Sequence, residues 1–118
     1  MIIDHRSYTI IPSKLAAFLE LWETTALPIQ IEHGGRFLGM FITDTGPLNT
    51  LLHMWAYENA ADREARRKKF EALPEWKEYR RKLNELDALE KAETKLIRPA
   101  PFVTFDWPAV AVRGSKDG

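Results

Sequence analysis

The stretch Leu51-Leu52-His53-Met54-Trp55-Ala56-Tyr57-Glu58-Asn59-Ala60-Ala61-Asp62-Arg63-Glu64-Ala65-Arg66-Arg67 joins the best strand of this chain to its best-capped helix. Alternate side chains of a strand point to opposite faces, so Leu51, His53, Trp55 and Tyr57 share one side and Leu52, Met54, Ala56 and Glu58 the other. Both sides are largely apolar, which predicts a strand covered twice. Asn59 stops it by offering a side-chain oxygen to the free amides of the next helix, and Asp62 suits the positive end of that helix.

Upstream, Ile2 to Ile10 reads as a strand with Ile2, Asp4, Arg6, Tyr8 and Ile10 on one face and Ile3, His5, Ser7 and Thr9 on the other. Ile11-Pro12 ends it and Ser13 is positioned to cap a helix whose stripe is Leu15, Phe18, Leu19, Trp22, Ala26 and Ile29. Pro28 lacks an amide hydrogen and its ring collides with the carbonyl one turn back, so a kink or break is expected there. His33 falls in the last turn, before Gly34-Gly35 ends the helix. Arg36 to Thr43 reads as a strand with Leu38, Met40 and Ile42 on one face and Phe37, Gly39 and Phe41 on the other. The turn formers of Asp44-Thr45-Gly46-Pro47-Leu48-Asn49 then fold it back as a hairpin with a long loop.

Downstream of Asn59, Asp62 with Arg66 and Glu64 with Lys68 place an acid four residues before a base, as on a solvated helix face. Leu73-Pro74 interrupts that helix. A second piece follows, with Trp76, Tyr79, Leu83 and Leu86 on its buried stripe. Ala92 to Ile97 supplies a last strand, closed by Arg98-Pro99-Ala100-Pro101.

Composition narrows the function classes. The 118 residues make a single domain, 1–105, with a C-terminal tail, 106–118, that is a candidate for docking on a partner subunit. Lysine and arginine number 17 against 17 acids, so no global field draws the chain to nucleic acid or an anionic membrane. The lack of cysteine excludes disulfides, thiol catalysis and thiolate metal sites. No signal peptide or membrane-spanning stretch is visible, and the expectation is a soluble, cytoplasmic protein.

The order strand, helix, strand, strand, helix, strand is the ferredoxin-like arrangement, a four-stranded antiparallel sheet with two helices on one face. Two helices cover one face only, while the second and third strands are apolar on both. A homodimer or higher homo-oligomer, pressed sheet to sheet, is the expected remedy.

The run His53-Met54-Trp55-Ala56-Tyr57, followed by Ala61-Asp62-Arg63-Glu64-Ala65-Arg66-Arg67, together with Leu27-Pro28-Ile29-Gln30, Gly46-Pro47-Leu48-Asn49 and Arg98-Pro99-Ala100-Pro101-Phe102, resembles the NIPSNAP family of dimeric α+β-barrel proteins. That resemblance runs through about Phe102. It implies a ferredoxin-like subunit closing into a barrel with its twin, in a superfamily that includes cofactor-free monooxygenases, haem-degrading enzymes and isomerases. It implies no established reaction. Asp4-His5-Arg6 departs from the family pattern by placing His5 where an apolar residue is usual.

Three residues are candidate catalytic groups: His53 as a proton acceptor, with Arg6 and Tyr8, a cation and a phenol on one face, to hold a carboxylate or enolate oxygen. Trp55, Tyr57, His5 and Arg63 are candidate ligand contacts. The competing readings are a packed core in which His53 satisfies a backbone carbonyl, and an Arg6–Asp4 ion pair. His5 and His53 would approach a metal only from the same side, and two imidazoles are too few to specify one, so neither metal nor cofactor is expected. Two functions follow. One is a barrel that binds a small aromatic or polyketide-like molecule, with cofactor-independent monooxygenase or isomerase activity. The other is a non-catalytic oligomerisation or interaction module.

Overall fold

The computed structural model describes residues 1–106 and 110–114. Four strands, β1 (Ile2–Ile10), β2 (Arg36–Ile42), β3 (Thr50–Tyr57) and β4 (Leu89–Ile97), form one antiparallel sheet in the order β2-β3-β1-β4. The first and third strands are central neighbours, as the ferredoxin-like order requires. The last strand begins three residues before the expected Ala92, at Leu89.

Between β1 and β2 the helical stripe is one interrupted rod: α1 (Leu15–Leu21), a π-helical turn (Trp22–Ala26) and α2 (Leu27–His33). Pro28 accounts for the interruption, because it cannot donate to the carbonyl one turn back and its ring needs room there. The chain meets both demands by widening, and the Leu27 amide reaches back five residues to the Trp22 carbonyl. The expected kink is thus a wide turn that aims Trp22 and Ala26 at the sheet, both buried. Ser13 is not the cap: the chain enters through a 3-10 turn, Pro12–Lys14, in which no side chain caps the helix. Lys14 Nζ instead donates to the Leu86 carbonyl at 2.8 Å, satisfying the end of α4 (Pro74–Leu86).

Asn59 caps α3 (Ala60–Glu71) as expected, its Oδ1 accepting from the Asp62 amide at 2.8 Å. Asp62 then holds Arg66 Nε at 2.8 Å.

All the helices press on one sheet face. Phe18, Trp22, Leu27, Phe70, Trp76, Tyr79 and Leu83 meet Ile10, Phe37, Leu51, Trp55 and Tyr57 in the main core. Both β1 and β3 keep the expected alternation. In β2 the alternation fails, because a bulge shifts the register between Phe37 and Gly39, where Gly39 sits at φ 127°. Phe37 and Met40 therefore both face the helices, opposite Trp55 and His53, and Leu38 turns away. Grouping Leu38 with Met40 is corrected: the extra residue resets the count of two.

The other sheet face is only partly apolar. Ile3, Leu38 and Ala56 are buried there beneath Met54 and Phe105, so one residue just past the sheet covers them from within the same chain. Alongside, β1 and β4 present His5, Ser7 and Thr9 opposite Lys95, Glu93 and Lys91. Phe41 and Ile97 remain 50% and 42% exposed. Of the tail, 107–109 and 115–118 lie outside the described residues; Val112 packs on the main core and Arg113 grips Glu23 by two hydrogen bonds of 2.5 and 2.6 Å.

Candidate functional site

The polar centre of the molecule lies where β1 and β3 run side by side under the helices. Asp4 is fully buried and accepts from Arg6 Nε at 3.1 Å and Arg63 Nε at 3.0 Å. One carboxylate with two guanidiniums leaves the cluster net positive. The ion pair considered for Arg6 is therefore made, and Arg63 reaches into it from α3 rather than pairing with the acids of its own helix.

One register position along, Arg6 stands opposite His53, which is 1% exposed. Tyr8 and Trp22 enclose its ring, with centroids 5.2 and 5.0 Å away. Trp55 Nε1, two residues along the same strand face, lies 2.8 Å from His53 Nδ1. An indole nitrogen can only donate, so Nδ1 carries the lone pair and the ring proton sits on Nε2. Burial, reinforced by the Arg6 charge, lowers the His53 pKa to about 3, so the ring is neutral at physiological pH.

In this arrangement the expected proton-acceptor role has no free lone pair to draw on. The lone pair of His53 is taken by Trp55, and what the ring offers is the Nε2 N–H. Among the described residues no protein atom accepts from that buried nitrogen. A second buried atom, Gln30 Oε1, likewise has no donor among the described residues.

Both residues line one small recess of about 50 Å³, together with Arg6, Tyr8, Phe18, Trp22, Arg67, Trp76, Tyr79, Arg80, Leu83 and Leu89. Three arginines and no acid are in that lining. Arg67 is steadied by Glu71 at 2.9 Å and lies 5.1 Å over the Phe70 ring. Burial pushes the Tyr79 phenol up from its ordinary value, which keeps it protonated. The recess is thus rich in donors and has one unpaired acceptor, Gln30 Oε1.

Of the residues singled out from sequence, His53, Arg6 and Tyr8 come together here. Trp55 and Arg63 stand behind them, orienting His53 and Asp4. Tyr57 is buried toward the end of β3 and lines a different groove, with Met1, Gly34, Gly35, Arg36 and Arg66. His5 lies apart from this group: it pairs with Met54 on the opposite sheet face, the side on which alternation places it. The two imidazoles therefore do not meet, and among the described residues no group of three or more His, Asp or Glu side chains is arranged to hold a metal.

Sequence reasoning missed Gln30, Arg67, Trp76, Tyr79 and Arg80 as site residues. Gln30 carried a signal: it stands four and eight residues after Ala26 and Trp22, a polar side chain at the position where the stripe calls for an apolar one.

A four-stranded antiparallel sheet with helices on one face and a polar recess between the layers defines a ferredoxin-like α+β domain. The family model of NIPSNAP matches residues 3–104, and the chain belongs to the NIPSNAP family. A NIPSNAP-like domain protein of Burkholderia xenovorans is 34% identical, with 97% of each chain covered and a TM-score of 0.80. A NIPSNAP family protein of Agrobacterium tumefaciens, described as of unknown function, is 33% identical at a TM-score of 0.78, covering 87% of this chain and 91% of its own. The human protein NipSnap homolog 3A is 30% identical over 105 residues, which are 89% of this chain but only 42% of that protein. A candidate antibiotic biosynthesis monooxygenase of Nitrosomonas europaea shares the fold at 14% identity and a TM-score of 0.64, covering 84% of this chain. Among the described residues no helix is long and apolar enough to cross a membrane.

Proposed function

We propose that this NIPSNAP-family domain binds a small molecule in the recess beneath His53 and handles it by holding an oxygen anion. The observation that carries this reading is the pair of buried groups, His53 Nε2 and Gln30 Oε1, that have no protein partner and line the same arginine-rimmed space. Buried polar groups without partners are costly, and native proteins tolerate them mainly where a ligand or water completes them.

Binding is better supported than proton transfer. A cofactor-independent oxygenation or isomerisation of an aromatic or polyketide-like molecule runs through an enolate or phenolate. The recess supplies donors for such an anion, in the manner of a neutral imidazole that stabilises charge without accepting a proton. Among the described residues no carboxylate lines it to serve as the base that creates one. Reaction would therefore be confined to substrates already ionised near neutral pH. At about 50 Å³ the recess is a third of the roughly 150 Å³ that holds a benzene ring, so an aromatic substrate would also require the helices to part.

A second copy of the chain is the proposed partner, covering the half-exposed Phe41 and Ile97 on the outer sheet face. The exposure of those side chains is also what favours the alternative reading, an interaction module without a ligand. Native mass spectrometry of the purified protein decides between them. The binding reading expects a dimer whose subunits carry a small retained mass or take one up from a metabolite extract. A dimer that stays at bare mass with every extract supports the interaction module instead.

A further inference from the structure

Resting on that small-molecule reading, we propose that the recess selects a short carboxylic acid carrying a hydroxyl next to its carboxylate, a 2-hydroxy acid. Size is the first constraint. A water needs roughly 10–15 Å³ of such space, so a volume of about 50 Å³ takes about three to five heavy atoms. Charge is the second. Arg6, Arg67 and Arg80 line the space; Asp4 is shared between Arg6 and Arg63 and Glu71 pairs with Arg67, so four guanidiniums meet two carboxylates and the occupant is an anion.

The third constraint is the hydrogen-bonding pattern, which separates the anions. His53 Nε2 is a donor and needs an acceptor, whereas Gln30 Oε1 is an acceptor and needs a donor. An acetate-like anion has acceptors only and leaves Gln30 Oε1 facing negative oxygen. A phosphate at neutral pH also carries a P–OH donor, but all four of its outer atoms are oxygens, so it would press polar oxygen against the Phe18, Trp22 and Trp76 walls. A hydroxyl beside a carboxylate answers both groups in one small molecule: its carboxylate faces the arginines and His53, and its hydroxyl donates to Gln30. Phe18, Trp22 and Trp76 then wall off the carbon skeleton.

The test follows the His53 ring N–H by NMR and the fluorescence of Trp22 and Trp76 as full-length protein is titrated with sodium glycolate, sodium acetate, sodium phosphate and phenol at fixed ionic strength. Glycolate is expected to shift the His53 signal saturably and to bind about tenfold more tightly than acetate, the worth of one hydrogen bond to a buried acceptor. Gln30→Leu should erase that preference while leaving acetate binding in place, and Arg80→Ala, at an exposed position, should weaken both acids. Equal binding of glycolate and acetate, tighter binding of phosphate, or shifts that chloride reproduces at the same concentration would each overturn the hydroxy-acid assignment. If phenol alone moves the His53 signal, the small-molecule site stands and this ligand class falls. If no probe moves it, both fall together.

Discussion

Replacing Asp4 with asparagine removes the charge that holds the centre of the molecule together while keeping its shape. Asp4 is 0% exposed and bridges Arg6 at 3.1 Å and Arg63 at 3.0 Å. Deleting one member of a buried ion pair typically costs about 3–5 kcal/mol, because the partner is left charged and unmatched. Here the two arginine side chains are 17% and 22% exposed, so each can turn its guanidinium toward water and recover part of that loss. The expected cost of Asp4→Asn is therefore about 2–3 kcal/mol. With a urea slope of about 1.5 kcal/mol per molar for a domain of this size, the unfolding midpoint at pH 7 should fall by roughly 1.5–2 M with an unchanged slope. Arg63→Met in the Asp4→Asn background should cost much less than Arg63→Met alone, a coupling of about 1–2 kcal/mol. A midpoint shift below about 0.5 M, or additive effects in the double variant, would show that the triad contributes little and that the reasoning from burial is wrong.

Two further outcomes are expected. Burial and the Arg6 charge hold the His53 pKa at about 3 against an ordinary 6.5, so between those values the unfolded chain takes up a proton that the folded chain refuses. Stability from this residue is complete above pH 6.5 and is lost as pH falls, by roughly 1.4 kcal/mol per unit. The exposed acids Glu23, Asp62, Glu78 and Glu93, lowered by their basic partners, lose their contribution only below their own ordinary range, so the difference in urea midpoint between the protein and His53→Phe from pH 6.5 to 5 reads His53. A flat profile over that interval, or one that His53→Phe leaves unchanged, contradicts the assignment. At Gly35 a Cβ would lie 2.4 Å from the Ala56 carbonyl oxygen and 2.9 Å from the Tyr57 ring, so Gly35→Ala should cost about 2 kcal/mol and lower the melting temperature by roughly 5–10 °C. An unchanged melting curve would mean that β2 and β3 part there without cost.

The fold was legible because its main determinants are local and periodic. The alternation of Leu51 to Tyr57, the Asn59 cap and the breaks at Gly34-Gly35 and Leu73-Pro74 each act within a few residues, and together they order the elements. What was not legible depended on departures from period. A single extra residue at Leu38–Gly39 moves Met40 to the helix face, and Pro28 yields a wide turn rather than a bend because the sheet below rewards burying Trp22. The strand partners Arg6, Tyr8 and His53 could be brought together from face assignments alone, but only their contacts fix the chemistry. His53 is a donor because Trp55 occupies its other nitrogen, a bond between side chains that spacing suggests and cannot specify. Arg67, Tyr79 and Arg80 arrive from helices whose rotation about the sheet is set by packing at many positions at once.

The account rests on His53 being a neutral, buried donor, and the nitrogen NMR spectrum of its ring reads that state directly. In protein labelled with nitrogen-15 at histidine, the His53 ring should show one protonated nitrogen, Nε2, and one bare nitrogen, Nδ1, with both signals unchanged from pH 7.5 down to pH 5. Trp55→Phe should disturb this tautomer without moving Nε2 toward solvent. A His53 ring that gains a proton near pH 6.5, or that carries its proton on Nδ1, would contradict the geometry of the recess and the anion-holding role built on it.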